Sequence, residues 1–110
     1  MTEQDSPLVC NISALSPQQH ARRRELASRL RPMVRQVVPM SDGYALRLED
    51  RGEVLTQVAE FITLERLCCP FLKFQLEVEA DGGSTWLRMS GRRAVKEFLA
   101  GEFGVEGWSG

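Results

Sequence analysis

The sequence predicts an α+β fold: a two-layer sandwich of an antiparallel sheet, four to five strands wide, with three helices on one face. A ferredoxin-like arrangement is one candidate. Two observations carry this prediction. Segments with helical apolar periodicity take turns along the chain with segments that alternate apolar and polar residues, in the order helix, hairpin, helix, hairpin, helix. The second hairpin is also two-faced. Leu72, Phe74, Leu76 and Val78 alternate with Lys73, Gln75, Glu77 and Glu79, the pattern of a sheet buried on one side and wet on the other. A chain of 110 residues suits a single domain spanning 1–110, with 1–7 and 105–110 expected as flexible tails.

The elements follow in order. Leu8 to Ile12 is short and β-prone and reads as an opening strand or extended lead-in. Ser16-Pro17-Gln18-Gln19 then starts a helix: Ser16 can cap, Pro17 suits the first turn, and Gln19 stands where a capping box needs its amide. Pro32 disfavours helical geometry at the residue before it, so this helix should end near Arg31. Val34 to Met40 and Tyr44 to Glu49 form the first hairpin around Ser41-Asp42-Gly43. Asp50 and Glu53 repeat the capping-box spacing and open a second helix that should run to Cys69, where Pro70 ends it. The second hairpin turns at Asp81-Gly82-Gly83 and returns with Leu87 and Met89 inward and Trp86 and Arg88 outward. A third helix is expected over Arg92 to Phe103, stopped by Gly104, and Trp108 could dock the tail.

Composition narrows the function classes. A net charge of −1 argues against a general nucleic-acid binder, which normally carries a basic excess. The longest apolar runs fall far short of the ~20 residues that span a bilayer. The polar, acidic start resembles no signal peptide, so a cytoplasmic location with reduced thiols is expected. Three cysteines are too few for a disulfide scaffold. Serine triads, glycine-rich phosphate loops and the H-E-x-x-H pattern are all missing, and His20 stands alone on the first helix. Enzymatic activity is accordingly the weaker expectation.

The second helix holds the chemistry. At ~100° per residue, Val54, Leu55, Val58, Phe61, Ile62 and Cys69 share one side, within roughly 60° of a common direction. Glu65 falls in the middle of that stripe. It must either reach the helix edge beside an arginine or lie buried with a partner such as Arg22 or Arg23, because an unpaired buried charge costs several kcal/mol. Cys68 and Cys69 differ by about 100° around a regular helix. Pro70 loosens the last turn, which lets both sulfurs face one point. A vicinal pair suits thiophilic ions such as Zn(II), Cu(I), Hg(II) or arsenite and is poorly placed for a disulfide between its own two members. Cys10, at the opening segment, is the candidate third sulfur, with Glu65 as an added oxygen ligand. Against this stands the plainer reading that buried cysteines act as small hydrophobes.

The run Glu65-Arg66-Leu67-Cys68-Cys69-Pro70-Phe71-Leu72-Lys73-Phe74 resembles a signature of small uncharacterised bacterial proteins, E-x-x-C-C-x-F-[FL]-x-F, and Cys10-Asn11-Ile12 is similar to their upstream C-x-[LI] element. Similar segments occur as extensions of MerR-type heavy-metal-responsive regulators. The resemblance extends from Cys10 to about Leu99, with only the Glu-x-x-Cys-Cys block specific. It implies that Cys10, Glu65, Cys68 and Cys69 belong together and that metal or metalloid response is their theme. The chain lacks the winged helix-turn-helix of such a regulator.

Three function classes follow. The first is a protein that binds a soft metal or metalloid ion through Cys10, Cys68, Cys69 and Glu65, as a sensor accessory or a sequestering module. The second is a structural or interaction domain, a homodimer among its forms, with buried cysteines and no metal. The third is a thiol-redox protein. Its cysteines would lie at a helix C-terminus, where the dipole raises thiol pKa instead of lowering it.

Overall fold

The protein is described here as a computed structural model covering residues 8, 10–49, 51–101 and 103–107. Helix α1 spans Pro17–Leu30 and is followed by hairpin β1 (Val34–Met40) and β2 (Gly43–Leu48). Helix α2 spans Val54–Cys68, hairpin β3 (Lys73–Val78) and β4 (Thr85–Ser90) comes next, and α3 covers Val95–Gly101. The fold class is the one expected, with four strands in the order β1-β2-β4-β3 and every neighbour antiparallel. Since β2 and β3 both pair with β4, they run in the same direction with β4 between them. The unit β2-α2-β3-β4 is thus the split crossover found in ferredoxin-like sheets. The fourth strand, β1, precedes the unit here and pairs with β2 through a tight hairpin.

Local chemistry explains where α1 begins. Gln19 N–H donates to Ser16 Oγ at 3.1 Å and Ser16 N–H donates to Gln19 Oε1 at 2.8 Å, completing the expected capping box. Val54 opens α2 behind Glu53, which stands at the N-cap with no side-chain capping bond; Gly52 takes a left-handed φ of 58° and Val54 N–H closes a turn onto the Arg51 carbonyl. Asp50 lies outside the described residues. Helix α3 is shorter than the expected Arg92–Phe103, because Ala94 sits at φ 78°, where a right-handed helix cannot pass.

The helices share one core with the inner sheet face. Leu26 and Leu30 of α1, Val58 and Phe61 of α2 and Val95 and Leu99 of α3 join Tyr44, Leu46, Leu48, Leu87 and Met89 in a single buried cluster. In β1 a bulge at Arg35 lets both Val34 and Val37 face inward, which strict alternation would forbid. The outer face is polar and laced. Arg88 Nη1 donates to Glu77 Oε1 at 2.9 Å, and Trp86 Nε1 donates to Glu79 Oε1 at 3.3 Å. In the second hairpin Asp81 (φ 58°) and Gly82 (φ 71°) both take left-handed conformations, matching the twist of the strands they join. Edge strand β3 departs from expectation. Leu72 is buried and Phe74 half-buried, but Leu76 and Val78 are 37% and 51% exposed.

Of the two readings of the opening segment, the lead-in is the one that fits. Its described residues Leu8, Cys10, Asn11 and Ile12 join no strand; Ile12–Ala14 forms a 3-10 turn, and Asn11 N–H donates to the Cys68 carbonyl at 2.6 Å. That carbonyl belongs to the last turn of α2, where helical partners run out. The segment therefore satisfies a helix end and leaves the sheet edge alone. At the other end the expected flexible tail is in part ordered. Val105–Gly107 forms a 3-10 turn with Val105 fully buried, while Trp108 lies outside the described residues. Among the described residues, no helix is long and apolar enough to cross a membrane.

Candidate thiol site

The buried stripe of α2 reads Val54, Val58, Phe61, Glu65 and Cys68, spaced four and three residues apart in turn, with Leu64 beside it. This corrects the expected stripe at two places. Leu55 is 40% exposed, and Cys68, not Cys69, continues the helical face. Cys69 reaches the same interior by another route. It is the C-cap, at φ −124° and ψ 69°, so its side chain leaves the helical spiral just before Pro70, which has no N–H to extend the helix. The loosened last turn expected from Pro70 thus aims both sulfurs at one point, 3.7 Å apart. Both residues are buried.

Cys10 completes the group. The hydrogen bond from Asn11 to the Cys68 carbonyl lays the opening segment across the end of α2, and the ring of His20 fastens the same segment by donating from Nε2 to the Ile12 carbonyl at 2.7 Å. The three sulfurs all lie within 4.8 Å of one another. The expectation of three free thiols does not hold, however. Cys10 and Cys69 are joined by a disulfide across 59 residues of chain, with Cα atoms 4.6 Å apart, inside the range a disulfide bridges. Cys68 is the free thiol. No sequence signal could have foretold that pairing, since it depends on how far the opening segment is carried.

Glu65 is not an edge residue. Its side chain is 1% exposed, and Arg23 Nε of α1 donates to its Oε1. Its other oxygen, Oε2, lies 3.8 Å from the Cys68 sulfur, so the thiol can donate there or to the Glu65 backbone carbonyl at 3.7 Å. Burial pushes the Glu65 carboxyl above the usual range, with the Arg23 guanidinium pulling the other way. Burial likewise pushes the Cys68 thiol up, and the neighbouring Glu65 charge adds to it. Cys68 is therefore a protonated thiol at neutral pH. A second strap, Arg22 to Glu60 with two bonds of 2.7 Å, ties α1 to α2 on the outer side and holds the Glu60 carboxyl below its ordinary value.

Chemically, the site gathers three sulfurs, two of them joined, with the buried Glu65 carboxylate and the part-exposed Arg23 guanidinium. Four ligands around Zn(II) at Zn–S bonds of ≈ 2.3 Å would place sulfurs about 3.8 Å apart. The Cys68–Cys69 sulfur spacing of 3.7 Å matches that separation, while the Cys10–Cys69 bond must first be reduced before Cys10 and Cys69 could act as ligands. Comparison of the chain with protein-family models, curated proteins and solved structures finds no match.

Proposed function

We propose that the reduced protein binds one soft metal or metalloid ion through Cys10, Cys68 and Cys69, with Glu65 as the adjacent oxygen donor, and acts as a sensor accessory or sequestering module in a reducing compartment. The observation that carries this reading is the meeting of one sulfur from the start of the chain with two from its middle, inside 4.8 Å. Thiolate donors select soft ions such as Zn(II), Cu(I), Hg(II) and arsenite over hard ones. The likeness of the Glu-x-x-Cys-Cys block to extensions of heavy-metal-responsive regulators points the same way. In this reading the Cys10–Cys69 disulfide is the closed form, and two-electron reduction by a cellular dithiol opens it. Binding then displaces thiol protons, so affinity rises with pH.

The test is equilibrium dialysis of the phosphine-reduced chain against each of the four ions under exclusion of oxygen. One ion per chain is expected, lost in the Cys10→Ser/Cys68→Ser/Cys69→Ser variant. Unchanged affinity in that triple variant removes the proposal.

The free thiol beside a disulfide favours a second reading, internal thiol–disulfide exchange. Cys68 as thiolate would attack the Cys69 sulfur 3.7 Å away, breaking the bond to Cys10, which leaves as thiolate and takes up the proton. The raised pKa of Cys68 slows that step. Non-reducing peptide mapping decides: a Cys68–Cys69 linkage at equilibrium supports exchange, and Cys10–Cys69 alone rejects it.

A further inference from the structure

The sheet has two edges, and they differ. Strand β1 carries Pro39 and the bulge at Arg35, two devices that spoil pairing with a further strand. Strand β3 has neither: its register against β4 is unbroken from Lys73 to Val78. Five of its six residues are exposed, Leu76 and Val78 among them. Its backbone shows which groups are open. Glu79 N–H donates to the Ser84 carbonyl at 3.0 Å, and these two residues stand opposite each other when the β3–β4 register is continued. Hydrogen-bonded pairs recur at every second residue of an antiparallel ladder, so Lys73, Gln75 and Glu77 also turn their backbone groups toward β4. The N–H and C=O groups of Phe74, Leu76 and Val78 therefore point away from the sheet, on the side where no described strand meets them.

A row of outward N–H and C=O groups is a template for one more strand. The sequence of β3 selects which strand fits. In a parallel pairing in register, two copies would set Lys73 beside Lys73 and Glu77 beside Glu77. Antiparallel pairing about Leu76 instead sets Leu76 against Leu76, Phe74 against Val78 and Lys73 against Glu79, all favourable cross-strand pairs. This register also makes hydrogen-bonded pairs of the three residues whose backbone groups point outward. We propose that the free edge of β3 is a dimerisation site for a second copy of this chain, joined antiparallel about Leu76 into one continuous sheet. The contact uses six strand residues a side, against the roughly 20–30 of a standard interface, so association is weak and depends on concentration. It involves no sulfur and holds whether or not an ion binds at the cysteines.

The experiment is sedimentation equilibrium of the intact, oxidised chain from about 10 µM to about 1 mM, paired with amide hydrogen exchange by NMR at both ends of that range. A mass rising from monomer toward dimer is expected. Exchange at Phe74, Leu76 and Val78 should slow as the dimer fills, while Gln75 and Glu77, already turned to β4, should not change. Leu76→Lys places like charges opposite each other at the centre of the contact and should weaken association by roughly tenfold or more. Leu76 is exposed on an edge strand, so the variant keeps the fold. Gln36→Lys, on the exposed side of the other edge strand, should associate as the parent does. A chain that stays monomeric at 1 mM, which would leave the edge to a strand from a different protein, overturns the assignment. So does a dimer that Leu76→Lys leaves unchanged, or one that forms with no slowing at Phe74, Leu76 and Val78.

Discussion

Reduction of the Cys10–Cys69 bond is the perturbation with the largest expected effect on stability. The bond closes a loop across 59 residues, more than half of the chain. In the chain-entropy description, a loop of that size removes about 14 cal/mol/K from the unfolded ensemble, or about 4 kcal/mol at 25 °C. A chain of this length unfolds with roughly 2.1 cal/mol/K per residue near its midpoint, so the loss corresponds to a fall in Tm of about 15–20 °C. The hydrogen bonds that place the opening segment, from Asn11 to the Cys68 carbonyl and from His20 to the Ile12 carbonyl, use no sulfur, so the reduced chain is expected to keep the fold. Thermal unfolding followed by far-UV circular dichroism, with and without a phosphine reductant, measures the difference. Cys10→Ser should unfold at the temperature of the reduced parent. If the proposed ion site is real, Zn(II) at a hundredfold excess over its Kd should return about 2.7 kcal/mol to the reduced parent. Oxidised and reduced chains that melt within about 3 °C of each other would refute the reasoning, because a constraint of that loop size cannot be so nearly silent.

Two further predictions concern the core. Because the Glu65 carboxyl titrates above its ordinary 4.5 in the folded state, the native chain holds a proton that the unfolded chain has released. Stability from this group is therefore present below the unfolded value and is lost as pH rises through the folded one. Glu65→Gln should flatten urea-denaturation stability from pH 4.5 to neutral and leave it equal or higher at neutral pH; a large loss at neutral pH would mean that the Arg23 pair dominates burial. Gly43→Ala should cost about 3 kcal/mol or more, since a Cβ there would lie 1.9 Å from the Met89 carbonyl oxygen and 2.7 Å from Ser90 Cα, both backbone atoms of β4. Gly101→Ala, with open space around it at the end of α3, should instead be neutral or stabilising in the same urea titration.

Much of the architecture was written locally. The capping box at Ser16 and Gln19, the stop at Pro70, the left-handed turn at Asp81-Gly82 and the inward Leu87 and Met89 of β4 each depend on residues close in sequence, and each appears where the local chemistry puts it. The misread elements are those whose neighbours are distant. Leu76 and Val78 alternate as a strand should, yet stay 37% and 51% exposed on the edge strand. Leu8 to Ile12 has a composition that suits a strand or an extended lead-in alike, and the bond from Asn11 to the end of α2 goes with the lead-in.

The site divides along the same line. By itself, the sequence determined that Cys68, Cys69 and Glu65 share the last turns of one helix, since a spacing of three or four residues is geometry built into the helix. Only the tertiary structure decided that Cys10 arrives beside them and bonds to Cys69 and that Arg23 is the partner of Glu65. Those meetings join residues about 40 to 60 positions apart, and contacts of that separation are set by how whole elements pack, which no local pattern encodes.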